Sequence, residues 1–214
     1  MKRSRLLVTV VFIGAAVLTL SVLGCSTLPR YTLHLLPSPE AEKGPTTGLT
    51  IGLLPFEDAR PQPQFLGTLI DGEDKSDIVL DSPSPANDVT YILRRTLRGR
   101  GIPTVDLESW IPDPEHLKDL PEDVDVVFAG RIEALEVTAT SALVNAKVQY
   151  RVRLSAKVGF KKEGVVLAQT SNVTAEEILL RFNPQRVEET LNTTLADALN
   201  RLLDAVFTAG PKSG

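Results

Sequence analysis

The sequence predicts an α+β domain in which a largely antiparallel, twisted sheet carries two helices on one face. Three observations indicate this fold. Residues 144–160 alternate between apolar and polar side chains, which is typical of one long strand with a single buried face. The segments before and after it repeat this strand pattern. Two further segments, 85–99 and 184–207, carry apolar residues at helical spacing.

Residues 1–24 have the pattern of a secretory signal peptide. Three basic residues within the first five positions precede an apolar stretch at 6–23. A single transmembrane anchor is the alternative, because this stretch approaches the roughly 18 to 20 residues that span a bilayer. The ending Val22-Leu23-Gly24-Cys25 favours a signal peptide, since it resembles the bacterial lipobox. The cysteine of a lipobox is acylated and becomes the N-terminus after cleavage.

Cys25 is therefore the predicted lipidation site. Several acyl chains on one residue would anchor the protein durably, whereas a single chain binds a membrane only marginally. Ser26 follows Cys25 at the position where an aspartate would resemble an inner-membrane retention signal. We expect the protein to be sorted to the outer membrane, with its domain facing the periplasm.

Residues 25–47 are predicted to be the lipidated N-terminus and a flexible tether, because prolines and a glycine interrupt any apolar period. Fully extended, residues 26–47 would reach roughly 70 Å at about 3.3 Å per residue. Tyr31–Leu36 is an exception that alternates enough to add an edge strand or a docking peptide. We expect His34 within it to be solvated rather than a ligand.

The periplasmic domain is predicted to span residues 48–208. Leu49–Leu54 is a short apolar run that suits a buried strand. Residues 65–70 and 77–80 form a hairpin around an acidic turn at 71–76. This turn lacks the glycine and the closing glutamate of an EF-hand loop, so a solvated turn is favoured over a calcium site.

Local signals mark the next elements. Ser84 is a helix N-cap before Pro85, and glycines at 99 and 101 end the helix. A strand at 102–105 follows, and residues 107–124 form an irregular or short-helical connection.

Three strands then form an antiparallel meander. The strand at 126–140 changes the parity of its apolar residues, which predicts a bulge near Ala134. It is followed by the strand at 144–160 and by a third strand at 165–177. Asn183 caps the closing helix, which packs beside the first helix and leaves the opposite sheet face in water. Residues 209–214 are expected to be a frayed tail.

Composition excludes several classes of function. The chain has a formal net charge of −4 and no basic cluster, which argues against nucleic-acid binding. One cysteine and two histidines exclude disulfide frameworks, thiolate zinc sites and multi-histidine metal centres. His116 is the only histidine outside the predicted tether, so a nucleophile–histidine–acid arrangement is not expected. The sequence predicts no enzyme, no metal and no cofactor.

One charged row stands out on the predicted sheet. Its basic residues alternate with apolar ones along the long strand, so they share its exposed face: Lys147, Arg151, Arg153 and Lys157. The favoured interpretation is a solvated face paired with acids such as Glu133. The alternative is a binding surface for an anionic partner.

The order of features resembles the YajG-type family of bacterial outer-membrane lipoproteins over nearly the whole mature chain. The matching features are the lipobox cysteine, Phe56-Glu57-Asp58-Ala59-Arg60, Leu66-Gly67, Leu97-Arg98-Gly99-Arg100-Gly101, a long hairpin pair and Leu191-Asn192. Tyr31-Thr32-Leu33 is also similar to the opening of ABC-transporter auxiliary lipoproteins, which assist envelope lipid transport. Neither resemblance implies catalytic residues, and the first implies no settled function.

The sequence therefore predicts a noncatalytic accessory or scaffold lipoprotein of the bacterial cell envelope. Its expected partners are the membrane, through the lipid anchor, and an envelope protein. An auxiliary subunit of an ABC-type lipid transport system is the alternative, in which case the partner is the transporter complex. A periplasmic hydrolase is a distant third.

Overall fold

The predicted helices and strands are present in the computed structural model, which describes residues 30–37 and 48–210. The strands are β1 (Arg30–Leu33), β2 (Ile51–Leu53), β3 (Glu57–Asp58), β4 (Phe65–Asp71), β5 (Asp74–Leu80), β6 (Thr104–Asp106), β7 (Val126–Ser141), β8 (Ala146–Phe160) and β9 (Val165–Leu179). The helices are α1 (Pro85–Gly99), a short 3-10 helix (Pro114–Asp119) and α2 (Pro184–Ala209). The signal peptide, Cys25, Ser26 and residues 211–214 lie outside the described residues.

Antiparallel pairing dominates the curled mixed sheet, which confirms the predicted fold class. β7 pairs with β8, and β8 with β9, over 15 residue pairs each. The register of β7 and β8 shifts between Ile132 and Ala134, where the parity change predicts a bulge. This shift keeps Ile132 and Leu135 on the same buried face.

Short parallel pairings complete the sheet and were not predicted. β7 pairs in parallel with β2, β3 and β4, β2 pairs with β6, and β1 pairs with β5. None of these pairings exceeds four residue pairs. Each of them joins two strands that are not consecutive in the chain, because parallel strands cannot be connected by a tight hairpin.

Both helices cover the same sheet face, as predicted. The Ser84 side chain accepts a hydrogen bond from the Asn87 amide, and that of Asn183 accepts from Gln185 and Arg186. The apolar sides of α1 and α2 join one core with the buried side chains of β8. No helix in the described residues has both the length and the hydropathy to cross a membrane.

The opposite sheet face is covered at one end, so the expectation that it stays in water is wrong there. Leu117, Leu120, Val124 and Val127 form a second buried cluster against which Trp110 packs. Leu117 and Trp110 pack directly on Gly159. A Cβ atom at residue 159 would lie 2.4 Å from Leu117 Cδ2 and 2.8 Å from Trp110 Cζ2, so a larger residue there would force these side chains to shift.

Candidate functional site

The segment that follows the predicted lipidation site is part of the folded domain. β1 pairs with β5, and Leu33 and Leu35 are buried in the main core. The Tyr31 ring meets the edge of the Phe182 ring with centroids 4.9 Å apart. The edge strand that the alternation predicts is present. The folded unit therefore includes residues 30–37, which fell within the predicted tether.

Two side chains of α2 hold the backbone of this segment. Asn192 Nδ2 donates to the His34 carbonyl oxygen at 3.0 Å, and Asn192 Oδ1 accepts from the Leu36 amide at 2.9 Å. Glu188 Oε2 accepts from the His34 amide at 2.7 Å. An asparagine side chain carries both a donor and an acceptor, so it satisfies a carbonyl and an amide of the same extended segment. We call Glu188 and Asn192 the segment clamp.

The His34 ring adds an electrostatic contact to the clamp. Its Nδ1 lies 2.9 Å from Glu188 Oε2, and its Nε2 lies 3.3 Å from Asp81 Oδ2. The hydrogen bond to Glu188, together with Asp81, raises the pKa of His34. The ring is half-exposed, as a solvated residue would be, but it also joins three parts of the domain. Among the described residues there is no group of three or more histidine, cysteine or acidic side chains that could hold a metal ion.

The basic row lies on the exposed face of β8, and three of its members are paired with acids. Lys147 Nζ is 3.0 Å from Glu176, Arg153 Nε is 2.8 Å from Glu133, and Arg151 Nη1 is 3.8 Å from Glu136. Hydrogen bonds from Gln149 and then Lys147 lower the pKa of Glu176. These contacts support the interpretation as a solvated, paired face. Binding of a partner by this row, including Lys157, stays a prediction.

A buried ion pair lies within one of the segments that carry the family resemblance. Arg60 Nη2 is 2.7 Å from Asp58 Oδ2, and both side chains are less than a tenth exposed. Arg60 also donates to the Leu135 carbonyl oxygen at 3.3 Å. The Asp58 side chain also accepts a hydrogen bond from the Arg60 amide, as aspartates in turns commonly do. The ion pair itself was not predicted from the sequence. Through the hydrogen bond from Arg60 to Leu135, the ion pair connects the chain after β3 to the centre of β7.

Other residues that carry the resemblance also make structural contacts. A Cβ atom at Gly67 would lie 2.1 Å from the Val137 carbonyl oxygen, where β4 approaches β7. Arg100, just after α1, binds Asp204 Oδ1 at 2.8 Å and Asn200 Oδ1 at 2.9 Å on α2. The segments that resemble the family therefore determine how strands and helices join.

One partly buried polar network lies beside the segment clamp. The Tyr150 hydroxyl donates to Glu177, whose other carboxylate oxygen is 3.2 Å from Arg186 Nε. Burial, followed by the neighbouring Glu177, raises the pKa of Tyr150 well above its ordinary value. The hydroxyl is thus held as a neutral donor. This network stabilises the junction of β8, β9 and α2.

Comparison with known proteins shows the fold. No protein-family model matches the sequence, and no curated protein matches it. Protein XCC0632 from Xanthomonas campestris, of family DUF330, has a similar structure with a TM-score of 0.52 and 13% identity, covering 86% of this chain and 97% of that one. A putative neuraminyllactose-binding hemagglutinin homolog from Helicobacter pylori has a TM-score of 0.43 and 10% identity, covering 81% and 94%. Lipoprotein GNA1162 from Neisseria meningitidis has a TM-score of 0.35 and 13% identity, covering 73% and 99%.

The likeness to the Xanthomonas protein extends over nearly that protein's whole length, so the two chains share a fold. Their identity is too low to transfer a function. Membership of the YajG-type family stays a prediction that rests on the sequence features given above.

Proposed function

We propose that this protein is a noncatalytic accessory lipoprotein of the bacterial cell envelope, anchored to the outer membrane by acylated Cys25 and working through contacts with an envelope protein. One observation carries the proposal. The segment beginning five residues after Cys25 is built into the domain, where β1, the buried Leu33 and the segment clamp hold it.

This docking shortens the distance between anchor and domain. The five residues from Cys25 to Arg30 span at most about 18 Å, at up to about 3.6 Å per residue. A tether running to residue 47 would have reached roughly 70 Å at about 3.3 Å per residue. The start of the folded domain therefore stays within about 18 Å of the acylated cysteine. A domain this close to its lipid anchor suits a component of a complex beside the membrane rather than a protein that extends across the periplasm.

The exposed face of β8 and its neighbours is the surface that we propose for the protein partner. It presents the basic row together with Glu133, Glu136 and Glu176, and these charges alternate in sign across three strands. Complementary charge patterns govern the specificity and rate of association more than the affinity itself. A partner with the opposite pattern would pair with this face in one register.

The second candidate is an auxiliary subunit of an ABC-type envelope lipid transport system. The segment Tyr31-Thr32-Leu33, which is similar to the opening of such auxiliary lipoproteins, forms β1 directly after the anchor. This gives the resemblance a structural role, because these residues attach the domain to its membrane-proximal segment. The partner would then be the transporter complex.

Site-specific photo-cross-linking in intact envelopes tests the proposal. A photoreactive amino acid at position 151 should capture a discrete protein, whereas the same group at Arg201, an exposed arginine of α2, should capture much less. Transporter components at position 151 would favour the second candidate, and another envelope protein would favour the first. Equal capture of proteins at both positions would contradict a defined partner surface. In a separate assay, hydrolysis of an ester by the purified mature protein would contradict the noncatalytic role.

A further inference from the structure

The chain enters the domain at one particular end of the sheet. β1 runs parallel to β5 and begins where Arg30 pairs with Asp77. β5 itself begins at the tight turn that joins it to β4, through Gly72 and Glu73. The start of β1 therefore lies toward this turn. Since Cys25 lies five residues before Arg30, the predicted anchor emerges at this end.

Two other connections lie at the same end. Asp71, the last residue of β4, pairs with Ser141, the last residue of β7, so the β7–β8 connection at 142–145 begins there. β9 ends there as well, because Leu179 pairs with the first residue of β8. We call this part of the molecule the anchor end.

The anchor end carries the most exposed large apolar side chains in the described residues. The exposed fraction is 105% for Leu143, 88% for Leu180, 75% for Val144 and 67% for Ile178. The first three, which we call the apolar tip, line one shallow cavity together with Tyr31 and Phe182. The apolar tip therefore adjoins the strand that leads back to Cys25. Clustered exposed apolar side chains mark an interaction surface, whereas scattered ones are normal.

The charges around the apolar tip balance. Arg30, Lys75 and Arg181 lie in the strand ends and connections of the anchor end, and so do Asp71, Glu73 and Asp74. This balance gives no strong attraction to anionic lipid. A lipid surface would be bound here through the apolar side chains.

We propose that Leu143, Val144 and Leu180 insert into the interface of the membrane to which Cys25 anchors the chain. The proposal rests on the proposed function, because the acylated cysteine brings this end to within about 18 Å of the bilayer at about 3.6 Å per residue. Insertion gives a second point of contact beside the lipid anchor, and two signals hold a protein at a membrane far better than one.

Two contact points also fix the orientation of the domain. The 15 residues of β8 rise about 3.3 Å each, so the strand extends roughly 50 Å from the apolar tip toward the turn at 161–164. The far turn then lies away from the membrane. The exposed face of β8 runs along the upright side of the domain, where a partner can reach it.

Tryptophan fluorescence in vesicles tests the insertion. The acylated mature protein is reconstituted into phosphatidylethanolamine vesicles with a minor share of phosphatidylglycerol, part of the lipid carrying bromine on its acyl chains. In the Leu143→Trp variant we expect a blue shift of the emission and a loss of intensity when brominated lipid is present. The matched control is Lys162→Trp at the far turn, which should show neither change. Both variants retain Trp110, which supplies the same background signal.

Three outcomes overturn the inference: no quenching in the Leu143→Trp variant, equal quenching in both variants, or quenching that disappears at high salt. The third would mean that charge, and not apolar insertion, holds the anchor end at the membrane. The intact mass of the same preparation separates this inference from the proposed function. A protein without acyl chains on Cys25 contradicts the proposed function, whereas an acylated Leu143→Trp variant that shows no quenching contradicts only the insertion.

Discussion

The side-chain amide of Asn192 lies 3.0 Å from the carbonyl oxygen of His34, although the two residues are 158 positions apart. This contact joins the end of the chain to the segment that follows the predicted lipid anchor. It makes α2 one of the elements that hold this segment against the domain. Leu191-Asn192 is also one of the features that carry the family resemblance: Leu191 is buried in the main core, and Asn192 belongs to the segment clamp.

Replacing Asn192 by alanine should weaken the docking of residues 30–37 without unfolding the domain. The Leu36 amide and the His34 carbonyl lose their partners, and such hydrogen bonds typically contribute about 0.5 to 1.5 kcal/mol each. Hydrogen exchange at residues 30–37 should accelerate, while exchange in β7 and β8 stays slow. Asn172→Ala, at an exposed asparagine of β9, is the matched control and should change neither region.

The docking of residues 30–37 should depend on pH through His34. Its pKa in the folded protein is raised by Glu188 and Asp81, so the stabilisation from the charged ring is fully present below about pH 6.5, the ordinary value for histidine. It is lost as the pH rises through the raised value. Amide hydrogen exchange at residues 30–37 should therefore become faster as the pH rises from about 6.5 through the raised pKa of His34, after correction for the pH dependence of exchange in an unfolded chain. The same pH dependence in a His34→Gln variant would rule out the ring as its source.

Arg60→Ala should be strongly destabilising, because it leaves the buried Asp58 carboxylate without its partner. Removing one member of a buried ion pair typically costs about 3 to 5 kcal/mol. Arg153→Ala removes an exposed ion pair with Glu133 and should cost at most about 1 kcal/mol. Urea denaturation of both variants measures the difference. Similar free energies of unfolding for the two would contradict the role of the buried pair.

Reversing Arg151 and Arg153 to glutamate should reduce capture of the envelope partner more than it affects folding. Exposed charge pairs contribute only about 0 to 1 kcal/mol each, so the domain should remain folded. A fourfold variant that also changes Glu133 and Glu136 to arginine restores the pairs within the sheet but inverts the pattern that the partner meets. Capture should stay low in both variants, and wild-type association should slow as salt rises. If these variants captured the partner as well as the wild type, and salt had no effect, the basic row would be only a solvated face.

Local signals explain which parts of the fold could be predicted from the sequence. The bounds of α1 follow from the Ser84 cap, Pro85 and the glycines after Leu97, all within a few positions of the helix ends. The bulge in β7 is visible because a parity change is itself a local pattern. The placement of the basic row on one face follows in the same way from the period of β8.

Long-range relationships could not be read in this way. The packing of Leu117 and Trp110 on Gly159 joins β8 to a connection far earlier in the chain, and no periodicity indicates such a contact. The acids that pair with the basic row depend on the registers of β7 and β9. The segment clamp depends on where α2 crosses β1, so Asn192 and His34 gave no signal of contact when considered separately.

The intact mass and the membrane fractionation of the mature protein decide whether it is lipid-anchored. We expect a mature N-terminus at Cys25 that carries acyl chains, and a protein that fractionates with the outer membrane. In the Cys25→Ser variant we expect an uncleaved, larger precursor or a soluble periplasmic form. An unmodified Cys25 thiol in the mature wild type, or an unchanged outer-membrane location of Cys25→Ser, would contradict a lipid-anchored protein.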